Sequence, residues 1–348
     1  MEHEAWIVPL RLRHPFGISR GSVDELPTVL LRLRCGDQVG LGEAAPVRYL
    51  GHRADLLRAD LTAICEALRE PDPKDMSSHD PHPQLPEAAP APVRAAVDIA
   101  LWDLTARAAQ RTLRAELDLR HPPAPATDAT QTSYTVALDD LDAMAERAAE
   151  ARDLPLLKIK LGRSPEFDRE ALRRVAAAAP RARLRVDANG GWSFAEARAL
   201  LPVLADLGVE FVEQPLARGQ LPALADLRRH SPLPLYADED VQGPESLPAL
   251  RGCVDGINIK LMKCGGISPA LAMIAAARRE GWRVLLGCMI ESRVGLAAAA
   301  SLAGRVDELD LDAHMLTADD PIPPGSQHEL SADLPTLPGP GLGIPPRW

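Results

Sequence analysis

Three carboxylates stand at a spacing that suits a shared cation. Asp187, Glu213 and Asp238 lie 26 and 25 residues apart (187 to 213 to 238), and each closes a short apolar stretch: LRVD, EFVE and PLYAD. If those stretches are neighbouring parallel strands, the three carboxylates meet at one edge. They would repel one another there unless a cation sat among them. Oxygen ligands of this kind suit Mg2+, which accepts carboxylates and keeps waters. Lysines flank the trio: Lys158 and Lys160 close LLKIK before it, and Lys260 closes GINIK after it. A nearby Mg2+ and a second ammonium should lower a lysine's pKa and let it act as a base near neutrality. A lone Asp or Lys at a strand end is ordinarily a helix cap or a solvated rim residue. Such groups at the ends of five consecutive strands are poorly explained by capping.

The elements that must position these groups repeat along the chain. After Thr132, short apolar strands alternate with amphipathic helices, and the strands end near Leu138, Lys160, Asp187, Glu213, Asp238, Lys260, Cys288 and Asp310. Eight βα units at steps of roughly 22–28 residues predict an α/β fold, a closed (β/α)8-type barrel with its catalytic groups at the C-terminal strand ends. The strands carrying Lys160 and Lys260 then lie on opposite sides of the ring. An open doubly wound sheet is the structural rival, but YTVALDDLDA has no glycine-rich phosphate turn. Residues 5–12 and 28–35 read as strands, with a loop from Pro15 to Ser22 between them and a turn-rich return at 40–46. Helical periodicity follows over 55–69 and 92–118, around a proline-rich surface loop at 71–91. The division is therefore an N-terminal α+β unit (1–122), a barrel (123–316), and a Pro/Gly-rich tail (317–348) long enough to cross back to the first unit.

Composition narrows the partners. The chain has 348 residues with a net charge of −10, so it has no general attraction for nucleic acid. No apolar run approaches a membrane span of ~18 residues, and MEHEAWIVPL lacks the form of a signal peptide. The five cysteines are scattered without a CxxC pair, which fits a reducing, cytoplasmic setting. Oligomeric state, a homo-oligomer included, is left open.

KIK, VDANGGW, VEQPL, ADED and NIKLMKCGGI, in this order and spacing, resemble the enolase superfamily, and within it the muconate-lactonizing-enzyme subgroup. The resemblance implies a modified TIM barrel with an α+β capping domain built from the N-terminal region and the C-terminal tail. It implies one Mg2+ on Asp187, Glu213 and Asp238, and Lys160 and Lys260 as an acid/base pair working through an enediolate. Lys158 would help neutralise the substrate carboxylate.

The eighth strand ends Asp310-Leu311-Asp312. Alternate strand residues point the same way, and paired carboxylates suit a buried cation. A strand-end turn is the plain alternative. This pair resembles that of the dipeptide epimerases, where it holds the free α-ammonium of the substrate. Cys288 and Thr135 match positions that line the substrate, and Cys288 has no neighbouring strand-tip histidine to activate it as a nucleophile. Arg20, in PFGISRGS, matches a loop that meets the side-chain carboxylate in members acting on L-Ala-D/L-Glu, which implies an acidic dipeptide. Asp24 and Glu25 on the same loop point instead to a cationic one. Asp240 departs from the commoner ADES pattern and adds an unassigned charge. The rivals are muconate cycloisomerase and o-succinylbenzoate synthase, whose substrates carry no ammonium, and a metal-stabilised barrel that only binds peptides.

Overall fold

The computed structural model describes residues 1–68, 85–86, 88–123, 129–322, 330–334 and 337–345. Most of the proline-rich segment at 71–91 lies outside them, as does PIPPGS from Pro323 onward.

Eight parallel strands form the larger sheet: β4 (Tyr134–Val136), β5 (Leu156–Lys160), β6 (Arg183–Asp187), β7 (Val209–Glu213), β8 (Leu235–Ala237), β9 (Gly256–Lys260), β10 (Arg283–Gly287) and β11 (Glu308–Asp310). They pair in chain order from β4 to β11. Thr132 bridges Leu309 in parallel, and Leu311 N donates to Thr132 Oγ1 at 2.6 Å, which brings the first strand against the last. Period-2 alternation explains why the strands read as near-continuous runs yet carry chemistry. Leu157, Ile159, Leu184, Val186, Ile257, Ile259 and Leu286 belong to the apolar core. Their neighbours along the strand face the barrel interior. One interior layer stacks Phe211 on Tyr236 at 4.2 Å beside Leu285, with Arg185 over the Phe211 ring and Glu308 accepting from the Tyr236 hydroxyl. One step nearer the C-terminal ends, the interior residues are the charged groups of the site.

The N-terminal sheet is antiparallel, in the order β1 (Glu2–Ile18), β2 (Gly21–Cys35), β3 (Gln38–Ala44). Its first two strands are longer than the sequence suggests. The stretch expected as a loop at 15–22 is the end of the hairpin, with Phe16 opposite Val23 and Ile18 opposite Gly21. The hairpin rests on the barrel: Leu138 N donates to Gly17 O at 2.9 Å. A Cβ at Gly17 would collide with the Leu138 carbonyl, so only glycine allows this approach. Two helices follow, α1 (Ala54–Ala67) and α2 (Ala91–Ala108), and then α3 (Leu113–Arg120). The sequence reads α2 and α3 as one helix; the break is at Gln110, in the left-handed region at φ 53°, after which Thr112 caps α3.

Helix α2 is buried on nearly all sides because it lies between the small sheet and the barrel. Its Asp98 accepts from Ile267 N (2.5 Å), Ser268 N (3.1 Å) and Ser268 Oγ (2.6 Å), capping the barrel helix Ile267–Glu280. The chain's end comes back to the same helix: Asp103 accepts from Leu342 N at 2.7 Å, and Arg107 Nη2 donates to Ile344 O at 2.7 Å.

Candidate active site

Four consecutive barrel strands bring the expected cation ligands and one of the bases together. Asp187 ends β6, Glu213 ends β7, Asp238 directly follows β8, and Lys260 ends β9. Oxygens of the three carboxylates lie within 4.8 Å of one another, and all three residues are buried. Burial and the charge of Asp187 push Glu213 up to about 7. Its Oε2 lies 2.7 Å from Lys158 Nζ yet lacks an aligned hydrogen bond. Three convergent, buried, oxygen-only ligands with an unsatisfied oxygen fit a hard divalent cation.

The two lysines stand on β5 and β9, four positions apart in an eight-stranded ring. Lys160 Nζ donates to Asp187 Oδ2 at 2.6 Å and Lys260 Nζ to Asp238 Oδ2 at 2.9 Å. Burial alone would lower Lys260, but the charge of Asp238 outweighs it and holds the ammonium above its ordinary range. The lowering expected from sequence supposes a cation among these carboxylates, whose charge would oppose that of Asp238.

Lys158 is buried beneath the others. Its ammonium is 2.7 Å from Glu213 Oε2, 2.7 Å from Asp310 Oδ2 and 3.4 Å from Asp187 Oδ2. It does not line the cavity at the mouth. In this arrangement it links the carboxylate triad to the Asp310 side.

Above these groups is a cavity of about 360 Å³, lined by Thr135, Lys160, Lys260, Cys288, Asp310 and Asp312 among others. Asp310 also accepts from Ser133 Oγ at 2.6 Å; although burial opposes it, Lys158 brings its carboxyl down to about 2. Asp312 Oδ2 accepts from Thr135 N at 2.7 Å, and burial together with the charge of Asp310 raises it to about 6. Thr135 thus meets Asp312 through both its side chain and its backbone. The Cys288 thiol is raised by burial and donates to Asp310 O at 3.3 Å, so it is a wall group, not an activated nucleophile.

Arg20 reaches the cavity from the hairpin tip, but its charge is already engaged. Nη2 is 2.6 Å from Glu239 Oε1, Nη1 donates to Asn189 O at 2.7 Å, and the guanidinium lies 5.3 Å from the Tyr49 ring centroid. Asp24 and Glu25 are exposed and do not line the cavity. The hairpin contributes Phe16, Ile18, Val23 and Leu26 to its wall, facing Met289, Ile290 and Leu316.

Several residues were not singled out from sequence. Lys263 Nζ donates to Asp238 O at 2.6 Å and also contacts Asp238 Oδ1. Its signal was KLMK, one helical turn after Lys260. Asn189 (φ 45°) and Gln214 (φ 38°) adopt left-handed backbone beside two triad residues, a strain often held at functional sites. Asn189 N donates to Asp187 Oδ1 at 2.8 Å, and Gln214 Oε1 accepts from Asp238 N at 3.0 Å. Asp240 now has a place: it accepts from Gln214 Nε2 at 2.7 Å and Gly219 N at 2.8 Å, fixing the amide that orients Asp238.

A capped parallel barrel with a carboxylate triad between opposed lysines is the architecture of the enolase superfamily, and the comparisons agree. Residues 2–117 match the mandelate racemase / muconate lactonizing enzyme N-terminal domain, and residues 140–348 match the enolase C-terminal domain-like family. The chain belongs to this mandelate racemase and muconate-lactonizing-enzyme family. It is 38% identical over 344 residues to the hydrophobic dipeptide epimerase of Roseobacter litoralis, covering 96% of each chain. It is 34% identical to the L-Ala-D/L-Glu epimerase of Escherichia coli, over 89% of this chain and 91% of that protein. Among solved structures it resembles the dipeptide epimerase of Enterococcus faecalis V583, complexed with Mg and L-Leu-L-Tyr, with a TM-score of 0.89, 28% identity and coverage of 99% and 98%.

Proposed function

We propose that this chain is a Mg2+-dependent dipeptide epimerase that inverts the α-carbon of the C-terminal residue, and that it favours dipeptides with an apolar side chain there. The observation that carries the reading is one cavity lined by Asp238 of the carboxylate triad, by the Asp310/Asp312 pair and by both Lys160 and Lys260. A divalent cation on Asp187, Glu213 and Asp238 supplies Lewis-acid stabilisation of charge on the substrate carboxylate. Asp310 and Asp312 hold the α-ammonium, which pins the second end of the substrate. Lys160 and Lys260 face the α-carbon from opposite strands, so one removes its proton and the other returns a proton to the far face. The ammonium-binding pair disfavours muconate cycloisomerase and o-succinylbenzoate synthase chemistry, whose substrates give it no partner.

The apolar preference rests on the wall. Phe16, Ile18, Val23, Leu26, Met289 and Ile290 surround the cavity, and the Arg20 charge is spent on Glu239. This departs from the acidic preference expected from Arg20. The test is a panel of L,L-dipeptides with apolar, acidic and cationic C-terminal residues, incubated with Mg2+ in D2O and read by mass spectrometry. Deuterium at the C-terminal α-carbon, fastest for apolar residues, supports the reading. No exchange with any dipeptide refutes the activity, and fastest exchange with acidic residues refutes the preference.

A further inference from the structure

The loop after β10 forms one wall of the cavity through Cys288, Met289 and Ile290. It ends on Glu291, a buried carboxyl whose Oε1 accepts from Met289 N at 2.7 Å. A second buried carboxyl meets it from the other domain. Glu43, near the end of β3, accepts from Thr28 Oγ1 (2.7 Å), Ser292 N (2.9 Å), Ser292 Oγ (2.6 Å) and Gly295 N (2.8 Å). It thereby caps the barrel helix Arg293–Ala300 across the domain boundary. The two carboxyls converge over Gly295: a Cβ there would lie 3.0 Å from Glu43 Oε2 and closer still to Glu291 Oε2. Neither residue takes part in the chemistry described above.

Two buried carboxyls at this separation do not both ionise without a large penalty. Glu43 has four donors and keeps the charge. Glu291 has one backbone donor from Met289 and keeps the proton. We propose that Glu43 and Glu291 form a carboxylate–carboxylic acid pair whose single proton positions the Met289–Ile290 wall of the substrate cavity against the capping domain. Both are positioning residues, acting through the loop and not on the substrate.

Burial and the charge of Glu43 push Glu291 up to about 8, and burial raises Glu43 as well. Other charged and titratable groups facing the pair are few. Lys260 of β9 favours the ionised form of Glu291, and the Cys288 thiol lies within the field of Glu291. Asp320, which accepts from Arg293 N at 2.9 Å, lies within the field of Glu43. Because the pKa of Glu291 is raised where the loop packs against Glu43, the packed form binds a proton that a solvent-opened form would release. The packed form's advantage is full below the ordinary carboxylate pKa of 4.5 and is lost progressively as pH rises to about 8.

The proposal does not depend on the epimerase reading, so the test uses no turnover. Amide exchange of residues 288–292 is followed in the full-length chain with Mg2+ present from pH 5 to 8, corrected for intrinsic exchange. In the wild type the local opening equilibrium should rise by up to about tenfold per pH unit across this window. In Glu291→Gln, which carries no titrating proton, it should change less than about twofold. In Glu43→Gln the opening should level off at a lower pH, because Glu291 loses its charged neighbour. Infrared difference spectra at pH 7, wild type minus Glu291→Gln, should show a protonated-carboxyl band. A flat wild-type profile, equal slopes in wild type and Glu291→Gln, or no such band in the difference would overturn the proposal. If Glu291→Gln does not fold, the wild-type slope and Glu43→Gln decide it.

Discussion

Asp312→Asn should stabilise the free protein while disabling it. The carboxyl is buried beside Asp310, and those two causes raise it from an ordinary 3.8 to about 6. A raised acid confers full stability below its unfolded pKa and loses it as pH climbs to the folded value. The wild type should therefore lose stability between about pH 4 and pH 6, and the loss should persist at pH 7. Two units correspond to ~3 kcal/mol as an order of magnitude, at 1.36 kcal/mol per unit. The introduced amide keeps an oxygen able to accept from Thr135 N, so the variant retains that hydrogen bond and sheds the charge. Urea unfolding at pH 4, 5, 6 and 7 measures the difference, and the two proteins should diverge as pH rises. The substrate ammonium would then be buried against one carboxylate instead of two. Leaving a buried charge underpaired costs ~3–5 kcal/mol, or a fall of roughly 10²–10⁴ in kcat/KM for free dipeptides. Turnover of a free dipeptide within about threefold of wild type, or a variant less stable than wild type at pH 7, would refute the reasoning.

Cation removal should silence α-proton exchange, and Mg2+ at 100 times its Kd should restore it while stabilising the fold by about 2.7 kcal/mol; calorimetry on Asp187→Asn should show that stabilisation lost. Arg20→Met should alter the ratio of acidic to apolar dipeptide turnover by less than about threefold, because Arg20 is held by Glu239. A selective loss of roughly 10²-fold for acidic dipeptides would instead mean that Arg20 grips the substrate.

The barrel was legible because its chemistry interrupts a simple pattern. Each of these strands ends on a charged residue, so Lys160, Asp187, Glu213 and Lys260 mark strand ends and site members at once. The capping sheet was legible as three strands, but not the reach of its hairpin, since paired backbone at 16–23 leaves no period-2 signal among Phe, Gly, Ile, Ser and Arg. The split between α2 and α3 depends on one left-handed residue, Gln110, whose side chain does not announce it. Partners were the least visible. Arg20 reads as a free cation until Glu239, 219 residues away, is found beside it. Lys158 reads as a substrate contact, and its pairing with Glu213 and Asp310 is not visible in the sequence. Asp240 reads as a stray charge until Gln214 connects it to Asp238. These pairings join different strand ends, and the spacing of one chain does not encode them.

The most direct test of the two-lysine account is solvent deuterium exchange in single-lysine variants. Lys160 and Lys260 stand on strands four places apart in the ring and both line the cavity, so under this account each would face one side of the bound substrate. With Mg2+ and a readily turned-over apolar dipeptide in D2O, Lys160→Ala and Lys260→Ala should each fail to interconvert the epimers. Each should still exchange the α-proton of one epimer, because the remaining lysine removes and returns a proton on its own face. The account predicts complementary patterns: one variant labels only the L,L form, the other only the L,D form. Interconversion at near wild-type rate by either variant, or labelling of the same epimer by both, would contradict it.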